Sequence, residues 1–316
     1  MAATMVMGCA LPEEPSTSGR GDGLPSNEAR RLEGHSGPVL AVRFNANGNY
    51  CVTCGKDRNI ILWNPHTGVR VKLYAGHGYE VRDAAICTDN SKFASCGGDK
   101  QVFLWDVASG HFIRKFRGHD ALVNAVCYGA GDDVLVTAGY DQCVKVWDCK
   151  SRSVDPVQTM KAFQDSVTSV ACRGPDIVAG SVDGTVRVFD VRMGRVYTDT
   201  VHHPVTSVAL SHDGQCMLAA CLDSTLRLLE RRTGELLCTY QGHVHSGIKL
   251  DCCLTPSDAH VVCGSETGEV LYWDLVEATT VKRVRAHPGV VCSLAMHPKG
   301  GMLLTSSVDG VVKVWT

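Results

Sequence analysis

No stretch of this chain approaches the about 18 uninterrupted apolar residues that a membrane-spanning helix requires. The opening segment, Met1 to Ala10, also lacks a charged start followed by a long apolar run. A soluble, intracellular protein with no membrane partner is expected. An excess of one charge is missing too: 31 Lys and Arg stand against 33 Asp and Glu in 316 residues, a formal charge of -2. With no basic field to draw in phosphate backbones, direct nucleic-acid binding is not expected. Cysteine is not scarce, but its 16 copies are scattered through apolar segments of a chain far longer than small secreted domains. That distribution argues against a disulfide framework and for reduced, buried thiols.

A repeat fills most of the chain. Gly-His, a strand-like run, a turn, a second run, a Gly/Ser-x-Asp element and a third run ending in Trp-Asp or a relative recur with a period of about forty. The closing aromatic or its replacement falls at Trp63, Trp105, Trp147, Phe189, Leu229, Trp273 and Trp315, which makes seven units. Within a unit the pattern alternates as in a half-buried sheet, for example Val39 to Phe44, Tyr50 to Cys54 and Ile60 to Trp63. Turn pairs such as Asn47-Gly48 and Asp213-Gly214 separate the first two runs, so neighbouring strands pair as antiparallel hairpins. The expected fold is all-β.

The seventh unit stops after its third strand, at Val314-Trp315-Thr316, and needs a fourth. Ala29-Arg30-Arg31-Leu32-Glu33 precedes the first Gly-His, where Val71 to Ala75 and Ile113 to Arg117 precede the next two. It is an orphan fourth strand, and docking it on the last unit removes an exposed edge and closes a ring. Residues 1–26, rich in Gly, Ser, Pro and Glu, carry no period and are expected as a disordered tail before one domain at 27–316. Gly19, Gly21 and Gly23 follow no strand and precede no helix, so they do not read as a dinucleotide loop. Arg20-Gly21-Asp22, without a secretory leader, does not read as an adhesion motif.

Gly-His, Asp and Trp-Asp at this spacing resemble the WD-repeat family over residues 29–316. The resemblance implies a seven-bladed β-propeller in which a His, a Ser or Thr, an Asp and a Trp form one hydrogen-bonded chain inside each blade. Complete sets are His35/Thr53/Asp57/Trp63, His77/Ser95/Asp99/Trp105, His119/Thr137/Asp141/Trp147 and His287/Thr305/Asp309/Trp315. The fourth and fifth units depart, with Ala179, Phe189, Ala219 and Leu229, although Asp183 and Asp223 remain. The sixth keeps His243 and Trp273 but has Cys263 and Thr267 at the other two places. Those three blades are expected to rest on apolar packing.

Ser, His and Asp together invite a hydrolase reading. A catalytic set is needed once and exposed, whereas these recur and must be buried, and no Gly-x-Ser-x-Gly elbow occurs. No enzyme activity and no cofactor are expected. Cys51 and Cys54 form a C-x-x-C without a second pair, on one strand, so core packing is preferred to zinc and no metal is expected. Arg231-Arg232 and Lys282 to Arg285 lack interleaved aromatics and read as solvated, edge-protecting charge.

Partner contacts in such propellers commonly lie on the upper face, just before the blade Asp and where the first strand opens. The resemblance selects Lys56, Glu80, Arg82, Leu122, Asn124, Tyr140 and Ile248 as protein-binding residues. Runs such as Gly76 to Val81, Leu104 to Gly110 and Lys249 to Leu254 further resemble a subfamily of organizer scaffolds. That likeness implies a monomeric propeller, cytoplasmic and nuclear, that gathers components of the extracellular-signal-regulated kinase cascade. The same subfamily is found with the catalytic spliceosome, so a splicing role reached through protein contacts is the alternative. Phe189-Asp190-Val191-Arg192 is similar to the Trp-Asp-x-Arg box of cullin ubiquitin ligase adaptors, a further alternative from which its Phe departs.

Overall fold

The alternation along each unit, rich in β-branched and aromatic residues, predicts short strands, and strands are what form. A computed structural model describes residues 23–316, and the expected tail lies outside them up to residue 22. Seven four-stranded antiparallel sheets stand around a central axis, each a meander from an inner strand to an outer one. In blade 1 these strands are Val39–Phe44, Cys51–Gly55, Asn59–Asn64 and Val69–Ala75. No α-helix occurs among the described residues.

The inner strands contact one another in sequence and the last contacts the first, so the ring is closed. Turns joining first to second and third to fourth strands all lie at one end, here called lower. The remaining turns and the links between blades lie at the upper end. Asn47-Gly48 shows why the lower turns need glycine: Gly48 has φ +79°, and a Cβ there would stand 1.9 Å from His297 Nε2 of the neighbouring blade.

Ring closure follows the expected route. Glu28–Glu33 pairs antiparallel with Val311–Trp315 as the outer strand of blade 7, burying Leu32. Residues just before the boundary expected at residue 27 are engaged with the ring. Ser26 N and Asn27 N donate to Thr316 O at 3.2 and 3.0 Å, and Tyr272 Oη donates to Pro25 O at 2.7 Å. Lys282 Nζ donates to Leu24 O and Ser26 Oγ, fixing the same segment on blade 6.

Candidate interaction site and the blade networks

Blades 1, 2, 3 and 7 contain the complete polar chain. In blade 2 the indole Nε1–H of Trp105 donates to Ser95 Oγ at 2.8 Å, and that hydroxyl donates to His77 Nε2 at 2.7 Å. The Nδ1–H of His77, assigned by this connectivity, then donates to Asp99 at 2.8 Å. Thr53, Thr137 and Thr305 do the same between Trp63, Trp147 and Trp315 and the imidazoles of His35, His119 and His287, with bonds of 2.8 to 2.9 Å. Asp57, Asp141 and Asp309 end those chains.

Burial works to raise the carboxyls of Asp57, Asp99 and Asp141. The imidazole bonds and the backbone N–H of Ser36, Gly78 and Asp120 outweigh it and hold them below the usual carboxylate range. Hydroxyl, imidazole and carboxylate are connected as in a hydrolytic triad, but the four hydroxyl-bearing residues are fully buried and each holds an indole. Their chemistry is spent on satisfying the turn inside the blade.

The other three blades solve the same problem differently. In blade 4, Phe163 takes the histidine position and packs on Phe189, centroids 6.1 Å apart, with Ala179 between them. In blade 5, Val201, Ala219 and Leu229 form one buried cluster. Asp183 and Asp223 still cap their turns through Thr185 and Thr225. In blade 6, His243 stacks edge-on against Trp273, yet neither ring nitrogen has a partner among the described residues. Burial holds that imidazole down at about 4. The Trp273 indole donates instead to Gln241 O at 2.9 Å. Thr267, at the Asp position, is not the residue that fastens the link. Glu266 accepts the N–H groups of Ser246, Gly247 and Ile248, and against opposing burial these bring its carboxyl to about 2.

The residues expected on the upper face fall into two groups. Tyr140 is 59% exposed and Ile248 42%, and Tyr79, which the repeat pattern did not single out, is 62% exposed. Lys56 is exposed next to the Asp57 turn, and Leu122 is half-buried, its carbonyl accepting Tyr140 N. Glu80, Arg82 and Asn124 instead form a chain around the rim. Arg82 lies 3.5 Å from Glu80 and donates to Asn124 Oδ1 at 2.9 Å. Asn124 Nδ2 donates to Ser166 Oγ and Val167 O, so this buried side chain is a tie between blades 3 and 4 rather than an exposed contact.

The centre of the ring carries charges the repeat pattern did not reveal. Arg43 reaches Asp83 at 2.8 Å and Asp251 at 2.9 Å, and Ser293 Oγ donates to Asp251 at 2.6 Å. Lys249 crosses the channel to donate to Thr168 O at 2.9 Å. Two cations thus stand among two buried acids, joining blades 1, 2, 4, 6 and 7. Burial raises Asp83, whereas Arg43, Lys249 and Ser293 overcome the same effect at Asp251 and lower it. Charges at inner-strand positions pass in sequence for solvated ones, and only the ring brings them together.

At the lower end, clefts open between blades. The one between blades 1 and 2, about 500 Å³, is lined by Tyr50, Val52, Leu62, Val71, Ile86 and Phe93 among others. Cys51 and Cys54 are both buried, their thiols pushed up by burial, and no cluster of three or more potential metal ligands occurs among the described residues. Asp190 accepts the N–H groups of Arg192 and Met193 in a turn that leaves Val191 and Arg192 exposed.

A rigid ring whose polar residues mostly hold blades together, with apolar and aromatic side chains exposed on its loops, is a protein-interaction scaffold. The chain belongs to the WD-repeat family of β-propellers. The WD domain, G-beta repeat profile matches residues 26–64 and 278–316, and the profile of the Nucleolar protein 10-like, N-terminal domain matches 49–256. The chain is similar to WD repeat domain-containing protein 83 of Rattus norvegicus, 58% identical over 301 residues that cover 95% of both chains. The proteins of that name from Homo sapiens and Danio rerio are 54% identical over 301 residues and 53% over 292, covering 95% and 92% of both chains respectively.

Proposed function

We propose that this scaffold gathers components of the extracellular-signal-regulated kinase cascade, as a single propeller within larger assemblies of the cytoplasm and nucleus. The observation that carries the reading is the organizer-like sequence spread over the propeller, together with 58% identity along 95% of the chain to a relative of the same repeat type. Tyr79, Tyr140 and Ile248 supply aromatic and apolar anchors of the kind that dominate interface energies. The near-neutral charge equally suits the second role of such organizers, assembly into the spliceosome through protein contacts.

Affinity purification of the tagged protein from its native cells, with and without nuclease, separates these roles. Kinases of the cascade that are lost from a Tyr140→Ala, Ile248→Ser double variant are the expected result. Splicing factors that survive nuclease would replace the signalling reading with the splicing one. Cullin ligase subunits, lost on Arg192→Ala, would replace both.

A further inference from the structure

At the lower end of the channel, the last residues of each inner strand lie beside those of the next inner strand around the ring. At five junctions a small side chain and a bulky apolar one pack against the same core cluster: Ala85 and Tyr128, Ala171 and Leu210, Ala209 and Leu254, Cys253 and Met296, and Ala295 and Phe44. At the junction of blades 1 and 2 the pair is Arg43 and Ile86. The junction of blades 3 and 4 has neither pattern. There Cys127 and Cys172 meet, their sulfurs 3.0 Å apart although 45 residues separate them in the chain.

Both cysteines are partly exposed and both line the cavity of about 380 Å³ at the mouth of the channel, so a small solute can reach them. The strands that carry them are held side by side by Asn124, which spans from blade 3 to Ser166 and Val167 of blade 4. The sulfurs stand 3.0 Å apart, against the roughly 2.05 Å of a disulfide. Blade 4 is also one of the two blades in which apolar packing replaces the whole hydroxyl, imidazole and indole chain.

We propose that Cys127 and Cys172 are a reversible oxidation site, forming a disulfide that staples blade 3 to blade 4 in response to a low-molecular-weight disulfide such as oxidised glutathione. In the first step the Cys172 sulfur attacks one sulfur of the reagent. The reagent's S–S bond breaks, and its other half leaves as a thiol carrying the proton from Cys172. In the second step the Cys127 sulfur displaces the remaining half from Cys172, and the Cys127 proton goes to that leaving group. Two protein thiols are oxidised, one reagent disulfide is reduced, and two small thiols are released. The adjacent Cys172 sulfur and burial raise the Cys127 thiol, so its thiolate forms less readily, and Cys127 is placed in the second step because attack there is intramolecular.

The test uses the full chain, reduced and then equilibrated in glutathione buffers of increasing oxidised fraction, trapped by alkylation and read by peptide mass spectrometry. The expected result is a Cys127–Cys172 cross-linked peptide that appears at a lower oxidised fraction than any modification of the partly exposed Cys149 and Cys238. The melting temperature should rise in parallel by roughly 5 °C, the scale of closing a loop of this length in a domain of this size. Cys172→Leu, which copies the small-large pair of the next junction, folds and loses both signals. Thiols at 127 and 172 that stay free while Cys149 or Cys238 is modified would overturn the proposal, as would a cross-link that leaves the melting temperature unchanged.

Discussion

His243 is the histidine of the WD pattern that lost its partners, and the chain contains its replacement. Phe163 occupies the same position in blade 4, packed on an aromatic as His243 is packed on Trp273. In His243→Phe an aromatic ring, slightly larger, is kept against Trp273, while two buried nitrogens without partners among the described residues are removed. At pH 7 the variant should be as stable as the parent or more so, by up to about 1–3 kcal/mol, the penalty of an unsatisfied buried polar group. The pH dependence is sharper. The unfolded imidazole takes up a proton near 6.5, the folded one only near 4, so the unfolded state binds more protons across that window. Stability linked to His243 is complete above about 6.5, falls as pH drops, and levels off below about 4. The full difference is about 3 kcal/mol, and about 2 kcal/mol is lost between pH 7 and pH 5. His245, His287 and His297, all lowered first by burial, add a slope of the same sign to parent and variant alike. Urea midpoints at pH 7, 6 and 5 for both proteins isolate the difference. Identical slopes would refute the assignment of His243 as a buried, unpaired base, and a large loss at pH 7 would show that its nitrogens are bonded.

Three further perturbations test other parts of the ring. Ser95→Ala strips the shared hydroxyl from blade 2, leaving the Trp105 indole and His77 Nε2 unpaired, and should lower unfolding free energy by about 1–3 kcal/mol in a denaturant titration. Arg43→Ala leaves Asp83 and Asp251 facing each other across the channel and should lose about 3–5 kcal/mol, recovered in large part by adding Asp251→Asn. Leu32→Ala removes the one buried side chain of the closing strand. It should cost about 2–5 kcal/mol and accelerate amide exchange in Val311–Trp315 before exchange in blade 3.

What was legible in the sequence was what repeats. Trp63, Trp105 and Trp147 at a constant spacing set the blades, and the resemblance to the WD-repeat family pointed to the His, Ser or Thr, Asp and Trp that lie in one hydrogen-bonded chain. Ala29 to Glu33 was legible for the same reason, as a fourth strand without its other three. What belongs to one position only was not. Glu266 does the work of a missing Asp because the link through Ser246 to Ile248 turns its N–H groups toward it, and a pattern centred on residue 267 looks one place too late. Asn124 was expected among the protein-binding residues because its strand opens at the upper face, yet the neighbouring blade covers it. Arg43, Asp83 and Asp251 meet only because the ring brings inner strands from distant blades to one axis.

The closing strand also has a history during synthesis. Among the described strands, Glu28–Glu33 leaves the ribosome first and its partner Val311–Trp315 last. At translation rates of about 5–20 residues per second, the strand waits for roughly 15 to 60 s with both edges unpaired. Four of its six residues are charged: Glu28, Arg30, Arg31 and Glu33 surround the single buried Leu32. An edge so charged is a poor template for stray strands of the same chain or of a neighbouring one. Once docked, Glu28 is held by both Arg31 and Lys313 of blade 7. The strand's composition thus serves the minute before closure as much as the ring that follows.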